Sequence, residues 1–163
     1  MTRPRTRTVI LVADDDATIR NNLALLLKAG ARLDDANLTG ARVTADLTGA
    51  RLVGARFEDA DCSADEKNQS MGLMRVTFKS ADLRRADFSG ANLARADLRF
   101  AKLSGANLAG ATLREADASG ADLRGALLQG ADATGLDVDS ARIDTASVPN
   151  LAKATHLDRA ARE

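Results

Sequence analysis

Between positions 31 and 150 the chain places Ala at nearly every fifth residue, with a larger apolar residue two places later. Ala81-Asp82-Leu83-Arg84-Arg85 and Ala106-Asn107-Leu108-Ala109-Gly110 are typical units. The register runs in three blocks, 31–44, 45–64 and 76–150, which together hold 22 units. Each unit has an apolar residue or Cys at its centre, from Leu33, Leu38 and Val43 through Cys62 and Phe78 to Ile143 and Val148. Twenty of them carry Ala two places before the centre, and Val76 and Leu136 stand there in the other two. A period of five suits neither regular element. On an α-helix successive centres would rotate by about 140° and spread around every side, and on a continuous strand an odd period sends each centre to the opposite face. The chain must therefore turn once per unit. Ten of the twelve Gly residues fall at the last place of a unit, where a backbone without Cβ eases a tight corner. The pattern predicts a coil whose short sides point Ala and the centre inward and leave the other three positions to water.

Composition agrees with an interior of small repeated parts. Aromatic residues make up 2% of the chain, all of them Phe. Lys plus Arg and Asp plus Glu are 23 each, so the basic excess that marks a polyanion binder is missing. One Cys, Cys62, leaves no internal disulfide framework, and with the single His156 it cannot make a four-ligand zinc site. The basic start is followed by only Val9-Ile10-Leu11-Val12 before an acidic run, and no apolar stretch nears membrane-spanning length, so a soluble cytoplasmic protein is expected.

The A(D/N)LxG units, such as Ala36-Asn37-Leu38-Thr39-Gly40 and Ala121-Asp122-Leu123-Arg124-Gly125, resemble those of the pentapeptide-repeat proteins. The resemblance implies an all-β solenoid, a right-handed quadrilateral β-helix of four units per coil. For this chain that means about 5.5 coils, stacked about 4.8 Å apart. Short helical caps are expected at both ends. The expected organisation is a cap over 1–30, the β-helix over 31–150 and a helical segment over 151–163.

Two places break the register. Ala41-Arg42-Val43-Thr44 is one residue short, so the corner at 44–45 must be irregular, and residues 65–75 carry no repeat at all. That insertion ends with Met71, Leu73 and Met74. Solenoids carry insertions as loops on one face, often the binding face. Fluoroquinolone-resistance members of the family carry such loops, which touch a type II topoisomerase. Folding back of the apolar residues on the coil is the alternative.

At the N-terminus Ile19, Leu23, Leu26 and Leu27 have helical spacing and Gly30 ends the run, as a lid on the open coil would require. Val9 to Asp16 with the following helix also resembles the start of a response-regulator receiver domain, where an acidic pair helps bind magnesium. The repeats begin where the second strand of that domain should lie, so no phosphoacceptor can be assigned. At the other end Leu151, Ala154, Leu157 and Ala161 form a stripe; the family resemblance implies an end-to-end homodimer through this segment, and a cap in a monomer is the alternative.

With four units per coil, residues twenty apart stack. Asp97, Asp117 and Asp137 then align beneath Thr77, and paired carboxylates at such spacing serve glycoside hydrolysis in other proteins. A flat face offers no pocket to desolvate an acid, and no Ser/His/Asp set, Cys/His pair or phosphate loop supports catalysis. No enzymatic activity, cofactor or metal is expected. The small centres Ala118 and Ala133 predict a thin stack and room for Ala118→Leu. One face, carrying Asp87, Asn107, Leu127 and Ser147 with Ser89, Ala109 and Gln129, holds a single charge and an exposed Leu. Phe100 falls at a corner and is the other exposed apolar candidate. The expected function is a rigid rod that displays faces and a loop to a protein partner, without direct nucleic-acid or membrane binding. Met71, Leu73, Met74, Phe100 and Leu127 are its candidate contacts. The alternative implied by the family is a DNA-mimicking DNA gyrase-binding protein. Against it, residues 76–148 hold nine Lys plus Arg and ten Asp plus Glu, far from the strong negative field that mimicry needs.

Overall fold

The computed structural model describes residues 29–64 and 75–162. Within them the chain winds so that the residue before each centre pairs in parallel with its counterpart one coil later. Four columns result. The first runs Arg32, Arg51, Asp82, Lys102, Asp122; the second Asn37, Arg56, Asp87, Asn107, Leu127; the third Arg42, Asp61, Asn92, Thr112, Asp132; the fourth Asp46, Thr77, Asp97, Asp117, Asp137. Partners lie 20 residues apart through the regular part, 19 apart across the short unit and 31 apart across residues 65–75. The offsets differ from twenty by the one missing residue and by the eleven inserted ones. Both breaks fall at the corner between the third and fourth columns, in successive coils, and the columns resume as though nothing had been inserted.

The unit Ala106–Gly110 shows why five residues close. Asn107 N–H donates to Ala86 O of the coil before (2.9 Å), while Leu108 and Gly110 N–H donate to Leu127 and Gln129 O of the coil after (2.8 and 2.9 Å). Ala106 N–H turns back to Leu103 O at 2.9 Å, closing a corner. The fifth donor, Ala109 N–H, has no backbone acceptor, and Asn107 Oδ1 takes it at 3.2 Å. Asp87, Asp117 and Asp132 serve Ser89, Ser119 and Thr134 in the same way. The Asp or Asn before the centre is thus a structural residue, because it satisfies the one amide per unit that the coil leaves over.

Apart from the irregular corner at 44–45 and the one where residues 65–75 leave, each corner of the coil is a turn with positive φ at its third residue, the type II signature. Gly supplies it at most corners, but Asp35, Asp59, Ser80, Arg85, Arg95, Phe100, Glu115 and Ser140 adopt it as well. Inside, the centres are buried, and three rings fill the coils on either side of the insertion. Phe57 stacks on Phe88 with centroids 4.5 Å apart, and Phe78 meets both edge-on. Cys62 is fully buried, and burial pushes its thiol far up, away from the reactive thiolate.

The thin stack expected at Ala118 and Ala133 is offset by a neighbour. Leu136, one of the two residues that replace the usual Ala, is buried and donates its N–H to Ala133 O, while Ala118 N–H donates to the adjacent Asp137 O. Leu136 therefore brings bulk beside both small centres. Ala118→Leu should accordingly cost about 1–3 kcal/mol by overpacking, measured by chemical denaturation. Stability equal to or above the parent's would show that the gap is still open.

The cap expected over 1–30 and the insertion with Met71, Leu73 and Met74 lie outside the described residues, apart from 29–30 and 75. The helix expected over 151–163 is corrected. The coil gives way earlier, to a 3-10 helix over Thr145–Leu151 that contains Pro149, and the chain then follows the last coil. Asp137 pairs with Thr155, and β1 (Arg142–Ile143) pairs in parallel with β2 (Ala161–Arg162). Leu151, Ala154, Leu157 and Ala160 pack on the core. An α-helix would satisfy only its own backbone. A chain laid along the coil end also satisfies the edge, as Val138 N–H to Thr155 O and Thr155 N–H to Leu136 O show.

Candidate interaction surface

The fourth column brings Asp97, Asp117 and Asp137 together beneath Thr77, as the spacing predicts. Its chemistry is that of ion pairing. Arg99 forks Asp97 through Nε and Nη2 at 2.8 and 2.6 Å and reaches Asp117 at 3.7 Å, and His156 Nδ1 lies 2.8 Å from Asp137. Burial works to raise the Asp97 carboxyl, but the hydrogen bonds from Arg99 and the charges of Arg99 and Arg75 outweigh it and hold the group low. Asp137 is held low against its burial by His156, the Asp139 amide and Arg159. A general acid for glycoside hydrolysis needs the opposite shift.

The same fork recurs wherever the sequence reads Asp-Leu-Arg. Arg84 grips Asp82 at 2.7 and 2.7 Å, and Arg124 grips Asp122 at 2.8 and 2.8 Å. These clamps neutralise the carboxylates of the first and fourth columns locally.

A cavity of about 250 Å³ opens at the corner where residues 65–75 leave, lined by Ser63, Ala64, Asn92, Arg95, Arg114 and Glu115. Its charges are paired, Arg95 with Glu115 at 2.7 Å and Arg114 with Asp132 at 3.3 Å. Among the described residues no group of three or more His, Cys, Asp or Glu could hold a metal ion.

The second column is different. Above Asp87 its outward residues are Asn107, Ala109, Leu127 and Gln129, none charged, and Leu127 is 49% exposed. The corners on either side of this stretch are glycines, Gly105 and Gly125 on one and Gly110 and Gly130 on the other. No side chain projects from the glycines themselves, and the charge at the Gly125 corner, Asp144 on its amide and Arg124 beside it, lies at the edge of the wall and not on it. Phe100, 58% exposed, stands at the corner between the fourth and first columns. The structure does not bring the two together, since the whole first column lies between the Phe100 corner and the column of Leu127. The glycine corners were visible in the sequence, but only the column assignment shows that they flank Leu127 in pairs.

A family model described as pentapeptide repeats matches residues 73–110 and 106–143, with eight copies. Among solved structures the chain is similar to the pentapeptide-repeat protein Rfr23 of the cyanobacterium Cyanothece 51142, at 30% identity over 62% of this chain and 58% of that one, TM-score 0.43. It is similar to HetL of Nostoc sp. strain PCC 7120, a pentapeptide-repeat protein involved in heterocyst differentiation regulation, at 28% identity over 68% and 58%, TM-score 0.36. A third is QnrB1, a plasmid-mediated fluoroquinolone resistance protein, at 21% identity over 73% and 72%, TM-score 0.46. The chain spans 58% of the length of each of the first two. No curated protein matches it.

Proposed function

We propose that this chain, a pentapeptide-repeat protein over residues 73–143, is a non-enzymatic interaction module of the family's right-handed quadrilateral β-helical form. It acts as a rigid rod that holds a protein partner against its side. The observation that carries the reading is the uncharged wall around Leu127, bordered by glycine corners. Depletion of charge around an exposed apolar residue is the composition of an interface centre, and a smooth wall admits another protein's backbone closely. The ion-paired columns elsewhere supply solubility and register.

Capture of partners from an extract on the parent protein, on Leu127→Lys and on a deletion of residues 66–74 tests the proposal. A lysine placed in the wall should abolish the capture that the parent gives. Capture kept by Leu127→Lys and lost with the deletion would move the contact to the insertion, and loss in neither variant would overturn both surfaces. Against the second reading, gyrase binding by DNA mimicry, stands the lack of a continuous negative face: Arg75 and Arg99 lie against Asp97 and Asp117, His156 against Asp137, and Arg159 pairs with the neighbouring Asp139. Purified protein should leave gyrase supercoiling unchanged with and without a fluoroquinolone.

A further inference from the structure

We propose that the corner at Phe100 is a second docking surface, away from the Leu127 wall, and that it takes an acidic protein segment centred on a large apolar residue. The corner column reads Gly49, Ser80, Phe100, Gly120, Ser140, small residues except for one ring. Phe100 has φ +58°, a left-handed conformation that is an outlier for a bulky side chain, and yet 58% of the residue stays exposed. The corner imposes this backbone on whichever residue stands there, as on Ser80 and Ser140 in the same column, so the turn accepts a ring here without requiring one.

Gly120, one coil on, fixes where the ring goes. A Cβ there would stand 2.5 Å from Phe100 Cδ1 and 2.6 Å from Cε1, so the ring rests against bare backbone. An aromatic side chain held in place before binding loses little freedom when a partner closes over it, which is the property of an anchor residue.

Charge selects the partner. Of the carboxylates around this corner, Asp82, Asp97 and Asp122 are forked by Arg84, Arg99 and Arg124, while Asp117 lies 3.7 Å from Arg99, and Arg75 adds a second cation 3.9 Å from Asp97. Lys102 follows Phe100 by two residues, and Lys79 precedes Ser80, which lies beneath Phe100 and donates its N–H to Arg99 O. Neither lysine makes an ion pair among the described residues, although Lys102 adds to the charge that holds Asp82 low. The charge left over at the corner is thus positive on both sides of the ring, and carboxylates flanking an apolar residue complement it.

Selection of short random peptides displayed on phage against the immobilised full chain tests this. Enriched peptides should carry Asp or Glu beside a large apolar residue. Their affinity should fall roughly tenfold or more in Phe100→Gly, as for an interface anchor. It should also fall with added salt and in a Lys79→Glu/Lys102→Glu double variant, and stay unchanged in Leu127→Lys. The melting temperature of Phe100→Gly should equal or exceed the parent's, since Gly adopts the corner without strain. A lower melting temperature would show that the ring is structural and overturn the proposal. So would a lack of enrichment, equal binding by Phe100→Gly, or preference for a short DNA duplex over the peptides. None of these results would touch the Leu127 reading, which Leu127→Lys decides on its own.

Discussion

Leu103→Asp should cost about 4 kcal/mol or more, enough to unfold much of the chain, because an unpaired carboxylate would enter a dry column. Leu103 is fully buried, and its neighbours Lys102 and Ala101 pair with the coils on either side, which stacks it between Leu83 and Leu123. No donor in that column can take the new oxygens, since the amides of all three centres are already bonded to the next coil. Asp122→Asn, on the outside of the same column, is the control. Asn still accepts the Arg124 amide as Asp122 does at 3.3 Å, and only the charge in the Arg124 fork is lost. That loss should stay under about 1 kcal/mol for a pair partly open to solvent. Urea denaturation followed by circular dichroism separates the two. Similar midpoints for both variants would overturn the inward and outward assignment.

The second large effect is expected from Phe88→Ala, at about 3–5 kcal/mol for the lost ring and the space it leaves. All three rings of the cluster are fully buried. Phe57 precedes the insertion and Phe78 and Phe88 follow it, so the cluster joins the two blocks of repeats by side-chain packing where the covalent path is longest. In a solenoid each coil is held by its neighbours, and weakening one interface uncouples what lies on either side. Phe88→Ala should therefore broaden or split the unfolding transition as well as lower it, whereas Leu108→Ala, farther along the same side, should shift a single transition. A sharp single transition in Phe88→Ala would show that the backbone ladder alone couples the blocks.

The inside and the outside of the coil, the turn once per unit and the positions of both register breaks were legible in the sequence. Each depends on residues within one unit, where a centre such as Leu103 and the Ala two places before it must share an interior whatever lies above. The same local logic explains Asn107 and its kin, although their bond to the amide two residues on becomes evident only when every other donor of the unit is seen to be occupied. What the tertiary structure decided depends on residues about twenty positions away. Leu136 offsets the small centres because the winding sets it beside Ala118 as well as Ala133. Phe100 lies on Gly120 because that corner is one coil above it. The last residues follow the coil end because free amides and carbonyls of residues 136–141 wait there, and a stripe spaced for a helix carries no information about an edge that exists only once the coil has formed.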